Sequence, residues 1–181
     1  MSRLERLRSK TVYKGKIATV RVEEFRYPDG GTKEREGVGH PGAVAIVAHD
    51  DDAVYLVRQP REPVGEPDLL ELPAGKLDVE GESRLDCARR ELAEEIGKDA
   101  SEWRELKRFY TSPGLLEEEV TVFAASGLAE VDGGPEAEER LEIVALPLAE
   151  LDSGIAECRD AKSLIGLMAL RDELRRGAAS A

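Results

Sequence analysis

The sequence predicts a mixed α/β fold, rich in strands and carrying one acidic helix and one C-terminal helix. Three observations support this. Short apolar runs bounded by turn residues recur along the chain, as in Ala43–Ala48 and Val54–Arg58. One strongly signalled helix lies between Ser83 and Gly97. An amphipathic stretch, Ala161–Arg176, lies near the C-terminus. A length of 181 residues suits a single main domain with a sizeable core and an appendage.

Residues 1–40 are polar and extended in character. Thr11–Tyr13 and Ile17–Tyr27 carry β-branched and aromatic residues in partial alternation. Pro28-Asp29-Gly30-Gly31 is a strong turn signal, with Lys33–Gly39 returning as a strand. The segment is too poor in apolar residues to form its own core, so it is expected to be a β-rich arm that packs on the main domain or on a second subunit. Residues 41–176 are expected to form the main domain, and 177–181 a disordered tail. Within the main domain, Ala43–Ala48 and Val54–Arg58 read as strands joined by the acidic turn His49–Ala53. That turn lacks the spaced ligands and distal glutamate of a calcium loop. Leu69–Pro73, Glu105–Thr111, Val120–Ala125 and Glu142–Leu146 read as further strands, and Leu148–Leu151 as the start of a short helix. In Ala161–Arg176, Leu164, Leu167, Met168 and Leu174 are expected to face inward.

Composition excludes several classes of function. A net charge of −12 argues against a nucleic-acid surface, and it means that a phosphate-bearing ligand needs local arginines and cations to attract it. No apolar run is long enough to cross a membrane and no secretory apolar segment opens the chain, so a cytoplasmic protein is expected. Cys87 and Cys158 are too few for a disulfide framework or a cysteine metal site, and Cys87 reads as a buried thiol beside a core stripe.

The chemistry concentrates in Gly75–Gly97. Ser83 is a good N-cap, Asp86 three residues later completes a box-like pair, and Gly97 is a natural stop. Leu85, Ala88, Leu92 and Ile96 fall on one stripe. Glu91, Glu94 and Glu95 project from a neighbouring face, where mutual repulsion gains the helix nothing. Taken alone, this run reads first as a solvated helix side with Arg90 paired to Glu94. The preceding Pro73-Ala74-Gly75 favours a metal instead, because a flexible loop there can add backbone carbonyls to the carboxylates. Hard cations such as Mg²⁺ or Mn²⁺ take oxygen ligands of this kind and share their shell with substrate phosphates.

Glu82, seven intervening residues, and then Arg90-Glu91-Leu92, Glu94-Glu95 and Gly97 resemble the box of the Nudix hydrolases, G-x5-E-x7-R-E-U-x-E-E-x-G-U with U aliphatic. Two departures stand out. Six residues rather than five separate Gly75 from Glu82, and Lys98 takes the last aliphatic position. Neither removes a carboxylate, although the loop's shape is affected. The resemblance implies an α/β/α sandwich with the N-terminal β arm appended. It also implies metal binding by the Ala74 carbonyl, Glu91 and Glu95, with Glu94 in close support and Glu82 holding the loop or a further metal. Arg90 then orients the glutamates.

Features outside the box resemble the ADP-ribose pyrophosphatase branch. Pro113 stands sixteen residues after Gly97 in Ser112-Pro113-Gly114, with Glu118 following, and in that branch this loop and glutamate lie against substrate. An ordinary turn proline remains the other reading. His40-Pro41-Gly42-Ala43-Val44, Arg58-Gln59-x-Arg61 and Asp160-Ala161-Lys162-Ser163 are also similar to that branch. Arg61, then Arg35 and Arg58, are candidates to clamp phosphate or stack on the base, or else are surface residues. The branch draws its general base from a loop ahead of the last strand, which here is Gly133–Arg140. Glu138 is the first choice and Glu139 the second, against a merely solvated acidic loop. The resemblance implies hydrolysis of ADP-ribose to AMP and ribose 5-phosphate by a homodimer whose arms cross to the partner. Alternatives are another nucleoside-diphosphate sugar such as a GDP-sugar, a non-catalytic ADP-ribose sensor, or a purely structural acidic domain.

Overall fold

The computed structural model describes residues 4–135 and 140–178, which divide into two units. One comprises the described residues up to Gly42 together with Tyr110–Glu119, and the other comprises Ala43–Phe109 and the residues from Val120 onward. Residues 179–181 of the expected tail lie outside the described set.

The first unit is built on an antiparallel meander of β1 (Glu5–Lys14), β2 (Thr19–Arg26) and β3 (Thr32–Gly39), in that order. The turn between β2 and β3 falls where the sequence predicts it, with the Gly31 amide donating to Asp29 Oδ1 at 2.9 Å. Strand β1 begins earlier than its apolar pattern suggests. It is held by polar contacts, with Arg6 and Ser9 donating to the buried carboxylate of Glu23 at 3.1 and 2.8 Å. The Ser-Pro-Gly segment belongs to this unit. The Val38 amide donates to the Leu115 carbonyl and the Glu117 amide to the Val38 carbonyl, and Arg21 grips Glu117 with both contacts at 2.8 Å.

In the second unit the chain runs through β4 (Ala43–His49), β5 (Ala53–Arg61), β6 (Glu66–Glu71), β7 (Ala74–Lys76), α1 (Arg84–Ile96), β8 (Lys98–Tyr110), β9 (Glu119–Glu130), β10 (Glu142–Pro147), α2 (Leu151–Glu157) and α3 (Ala161–Ala178). The sheet order is β10-β5-β4-β9-β8, with β6 added to β5 and β7 to β4. Strand β4 pairs in parallel with β9, which explains its continuous apolar run: a strand covered on both faces has no polar side. Ala43, Ala45 and Val47 enter one cluster with Leu151, Leu167 and Leu170 of the C-terminal helices. Val44, Ile46 and Ala48 enter another with Cys87, Ala88, Leu92 and Ile96 of α1. The second unit is therefore an α/β/α sandwich, as expected. Among the described residues, no helix is long and apolar enough to cross a membrane.

Helix α3 corrects one expectation. Leu167 is fully buried and Leu164 partly so, but Met168 is 40% and Leu174 39% exposed. Met168 sits one residue, or about 100°, round from Leu167, which carries it off the stripe. Leu174 lies in the last turns, where it borders an open cavity with Trp103 and Glu173 instead of the core. The stripe that packs is Ser163, Gly166, Leu167 and Leu170, and its centre is a glycine for a steric reason. A Cβ on Gly166 would stand 2.5 Å from Leu72 Cδ1 and 2.9 Å from Val47 Cγ2. Gly166→Ala gains about 1 kcal/mol of helix propensity but overpacks stiff neighbours, at about 1–3 kcal/mol. We expect a net loss of stability, read as a lower midpoint of urea unfolding at an unchanged slope; an equal or higher midpoint would refute the close-packing account.

Candidate active site

Strand β7 and helix α1 form the site between them. The Ile46 amide donates to the Pro73 carbonyl at 2.8 Å, and Ala74–Lys76 pair with Ala43–Ala45, so the central strand β4 carries the loop. Helix α1 opens at Ser83, whose Oγ accepts from the Asp86 amide at 3.1 Å, and closes at Gly97 in a left-handed conformation. Its buried stripe of Ala88, Leu92 and Ile96 faces the sheet, which fixes the rotation that turns Glu91 and Glu95 toward the loop. The fit is tight at Gly75: a Cβ there would lie 1.8 Å from Glu91 Oε1. Glu95 Oε2 accepts from the Ala74 amide at 3.1 Å.

Arg90 gathers the remaining acids. It donates to both Glu82 oxygens at 2.9 and 3.1 Å, to Glu91 Oε1 at 2.7 Å and to Glu94 Oε2 at 3.0 Å. Its hydrogen bond to Glu82 raises the guanidinium pKa further above its already high ordinary value. The same contact holds the Glu82 carboxyl below the usual carboxylate range. Burial instead pushes the Glu91 carboxyl up, only partly countered by Arg90. Burial also pushes the Cys87 thiol up to about 12, so this cysteine is an inert packing group despite its place beside the acids.

The structure separates the acidic side chains that the sequence groups together. Glu82, Glu91 and Glu94 meet on Arg90, whereas Glu95 turns to the loop backbone. Among the described residues no three acidic, histidine or cysteine side chains converge as a ready cage. A metal nevertheless suits the residues present. Glu91 and Glu95 flank Ala74–Gly75, the missing Cβ of Gly75 leaves room for the Glu91 carboxylate, and the donors are all oxygen, the set a hard divalent cation takes.

The predicted arginines have partners. Arg61 forks onto Glu71 at 2.5 and 3.0 Å, and Arg58 pairs with Glu157 and Asp68. The Glu71 contact raises the Arg61 pKa, with a smaller contribution from the charge of Glu95. In the first unit, Arg35 Nη2 lies 3.3 Å from the Tyr27 hydroxyl and borders a groove of about 350 Å³ together with Phe25, Pro113 and Gly114. Glu118 accepts from the Thr111 hydroxyl at 2.7 Å, with His40 Nδ1 3.6 Å away. Glu138 and Glu139 lie outside the described residues.

Sequence reasoning missed Glu71, which is 1% exposed and contacts Arg61 and Lys162. Burial pushes this carboxyl up, but the two cations outweigh it and hold it below the usual range. A signal was present. A lone acid between Leu70 and Leu72 in an apolar strand must be paired if buried, and cations stood in both neighbouring motifs.

Comparisons with known proteins agree with this geometry. The NUDIX domain family matches residues 39–164. An ADP-ribose pyrophosphatase of Mycobacterium tuberculosis (strain ATCC 25618 / H37Rv) is 48% identical over 134 residues, covering 74% of this chain; the match spans only 64% of that enzyme's length. A methanol dehydrogenase activator of Bacillus methanolicus is 34% identical over 170 residues, covering 91% of each chain. A crystal structure described as an ADP compounds hydrolase superposes with a TM-score of 0.84 at 25% identity, covering 98% of this chain and 97% of its own. The chain belongs to the NUDIX domain family.

Proposed function

We propose that this protein is a divalent-cation-dependent pyrophosphatase that hydrolyses ADP-ribose to AMP and ribose 5-phosphate. The observation that carries the reading is the seating of Glu91 against Gly75 with Glu95 on the Ala74 amide, which sets two carboxylates beside a backbone loop. The names of the Mycobacterium tuberculosis relative and of the superposed hydrolase support the substrate.

Glu91, Glu95 and the Ala74 carbonyl would hold Mg²⁺ or Mn²⁺, with Glu94 and Glu82 in support. Such a cation polarises the diphosphate and makes water a stronger nucleophile. Arg90 ties Glu82, Glu91 and Glu94 into one arrangement, so its role is to orient rather than to touch substrate. In the second unit Arg61 is the proposed clamp for a diphosphate, with Arg58 in a lesser part; in the first unit Arg35, Pro113, Gly114 and Glu118 are the residues proposed to contact a nucleoside. Glu138, or failing that Glu139, takes the proton of the attacking water. One P–O bond of the anhydride breaks, water supplies the hydroxyl, and two phosphate monoesters leave.

The arm suits self-association into a homodimer. Strand β1 is exposed along its whole length at a sheet edge, with Val12 and Tyr13 as exposed apolar side chains on it and Ile17 another in the turn that follows. Two free buried thiols suit a reducing, cytoplasmic setting.

A panel of ADP-ribose, GDP-mannose, NADH and diadenosine polyphosphates, with products separated by chromatography, tests the substrate. ADP-ribose should give the highest kcat/KM, yield AMP and ribose 5-phosphate, and stop reacting in EDTA. A clear preference for GDP-mannose would overturn the substrate. Tight ADP-ribose binding without turnover in either Mg²⁺ or Mn²⁺ would overturn the enzymatic reading.

A further inference from the structure

We propose that Glu71 is a positioning residue for Arg61, holding one edge of its guanidinium so that the other edge faces the substrate's diphosphate. The proposal rests on the pyrophosphatase reading above.

The geometry is that of a buried anchor beneath a half-exposed arginine. Glu71 is 1% exposed, whereas the Arg61 side chain is 40% exposed. Nε and Nη2 of Arg61 donate to the two oxygens of Glu71 at 2.5 and 3.0 Å, a two-pronged contact that fixes the plane of the guanidinium as well as its place. Nη1 makes no hydrogen bond to protein among the described residues. It belongs to a half-exposed side chain that borders a cavity of about 270 Å³, together with Glu71, Asp160 and Lys162.

The anchor is itself held. Lys162 donates to Glu71 and lies 2.9 Å from Asp160. Asp160 accepts from the Ser163 amide at 3.0 Å and from its hydroxyl at 2.5 Å. The Ser163 oxygen in turn accepts from the Leu72 amide at 2.7 Å. The start of α3 therefore grips two successive residues, Glu71 and Leu72, just before the Ala74–Gly75 loop.

Two considerations favour orientation over other roles. The charges of Arg61, Lys162, Glu71 and Asp160 cancel, so the cluster is not in itself an anion trap; what it gives Arg61 is direction. Stability is also a poor explanation, because a buried ion pair is commonly matched or exceeded by well-packed apolar residues. A fixed guanidinium loses less freedom on meeting a phosphate than one that must first be ordered.

A double-mutant cycle tests this. The dissociation constant of ADP-ribose is measured by calorimetry in EDTA, where no turnover is expected, and KM and kcat in Mg²⁺. Glu71→Gln should weaken binding and raise KM by about 10-fold, the scale of a lost charge-assisted hydrogen bond, with kcat changed far less. Arg61→Ala should weaken binding at least as much, and adding Glu71→Gln to it should do nothing further. Glu71→Asp keeps the buried charge and so protects folding. It draws the guanidinium back by one methylene and should give an intermediate KM. Unchanged affinity in both Glu71 variants, or full multiplication of the Glu71→Gln and Arg61→Ala effects, would overturn the positioning role while leaving the pyrophosphatase reading intact. Wild-type affinity in Arg61→Ala would overturn it too, and would remove Arg61 as the diphosphate clamp in the function proposed above.

Discussion

Gly75→Ala is expected to lower kcat/KM by about 100-fold, the scale seen when reacting groups are displaced by about 1 Å, while leaving the protein folded. The reason is local. Gly75 does not adopt a positive φ, so an alanine meets no backbone strain there. The new Cβ would overlap the end of the Glu91 side chain, at 1.8 Å from Oε1 and 1.9 Å from Cδ. The tip of a glutamate can swing aside at little cost, so thermal stability should move by only a few degrees. Swinging aside removes Glu91 from Arg90 Nη1, 2.7 Å away, and from the loop whose carbonyl would share its cation. Activity should therefore fall where stability does not. Steady-state kinetics in saturating Mg²⁺ beside a melting curve would separate the two. Full activity in a folded Gly75→Ala protein would show that the close approach of helix and loop is not needed.

Most of the fold was legible because burial on both faces leaves a plain trace. The run Ala43–Ala48, short, rich in β-branched residues and bounded by turn residues, suggests a strand, and Ser83 and Gly97 mark the ends of α1 by their capping chemistry. Strand β1 was harder to see because it is exposed throughout and held by polar contacts to Glu23, which leave no apolar period. Met168 and Leu174 were misread because apolar character alone does not say which part of a long helix meets the sheet. At the site, the box residues could be named from their spacing, but their partners could not. That Arg90 takes Glu82, Glu91 and Glu94 while Glu95 turns to Ala74 depends on rotamers and on the packing of α1. The bond between Glu71 and Arg61 joins residues ten apart in sequence on paired strands, and no periodicity announces it.

The double variant Glu91→Gln, Glu95→Gln is expected to have the largest effect of all. Loss of an outer-shell partner costs a metal site about 10–100-fold, and here two of the proposed ligands would lose their charge, so turnover should fall below that range to background. Folding should survive. Burial already pushes the Glu91 carboxyl up, so its ionised form is the one the fold disfavours. A group with a raised folded-state pKa adds stability only while protonated, and that contribution is lost as pH rises through its folded value. At neutral pH the uncharged glutamine therefore costs the metal-free protein little at position 91.

The decisive measurement is ADP-ribose hydrolysis by this double variant, paired with its melting temperature with and without Mg²⁺ or Mn²⁺. A folded protein without turnover is expected, with a melting temperature that the cation no longer raises, whereas that of the unmodified protein should rise with it. Undiminished hydrolysis, or an unchanged cation-dependent rise in melting temperature, would show that these two carboxylates do not hold the cation.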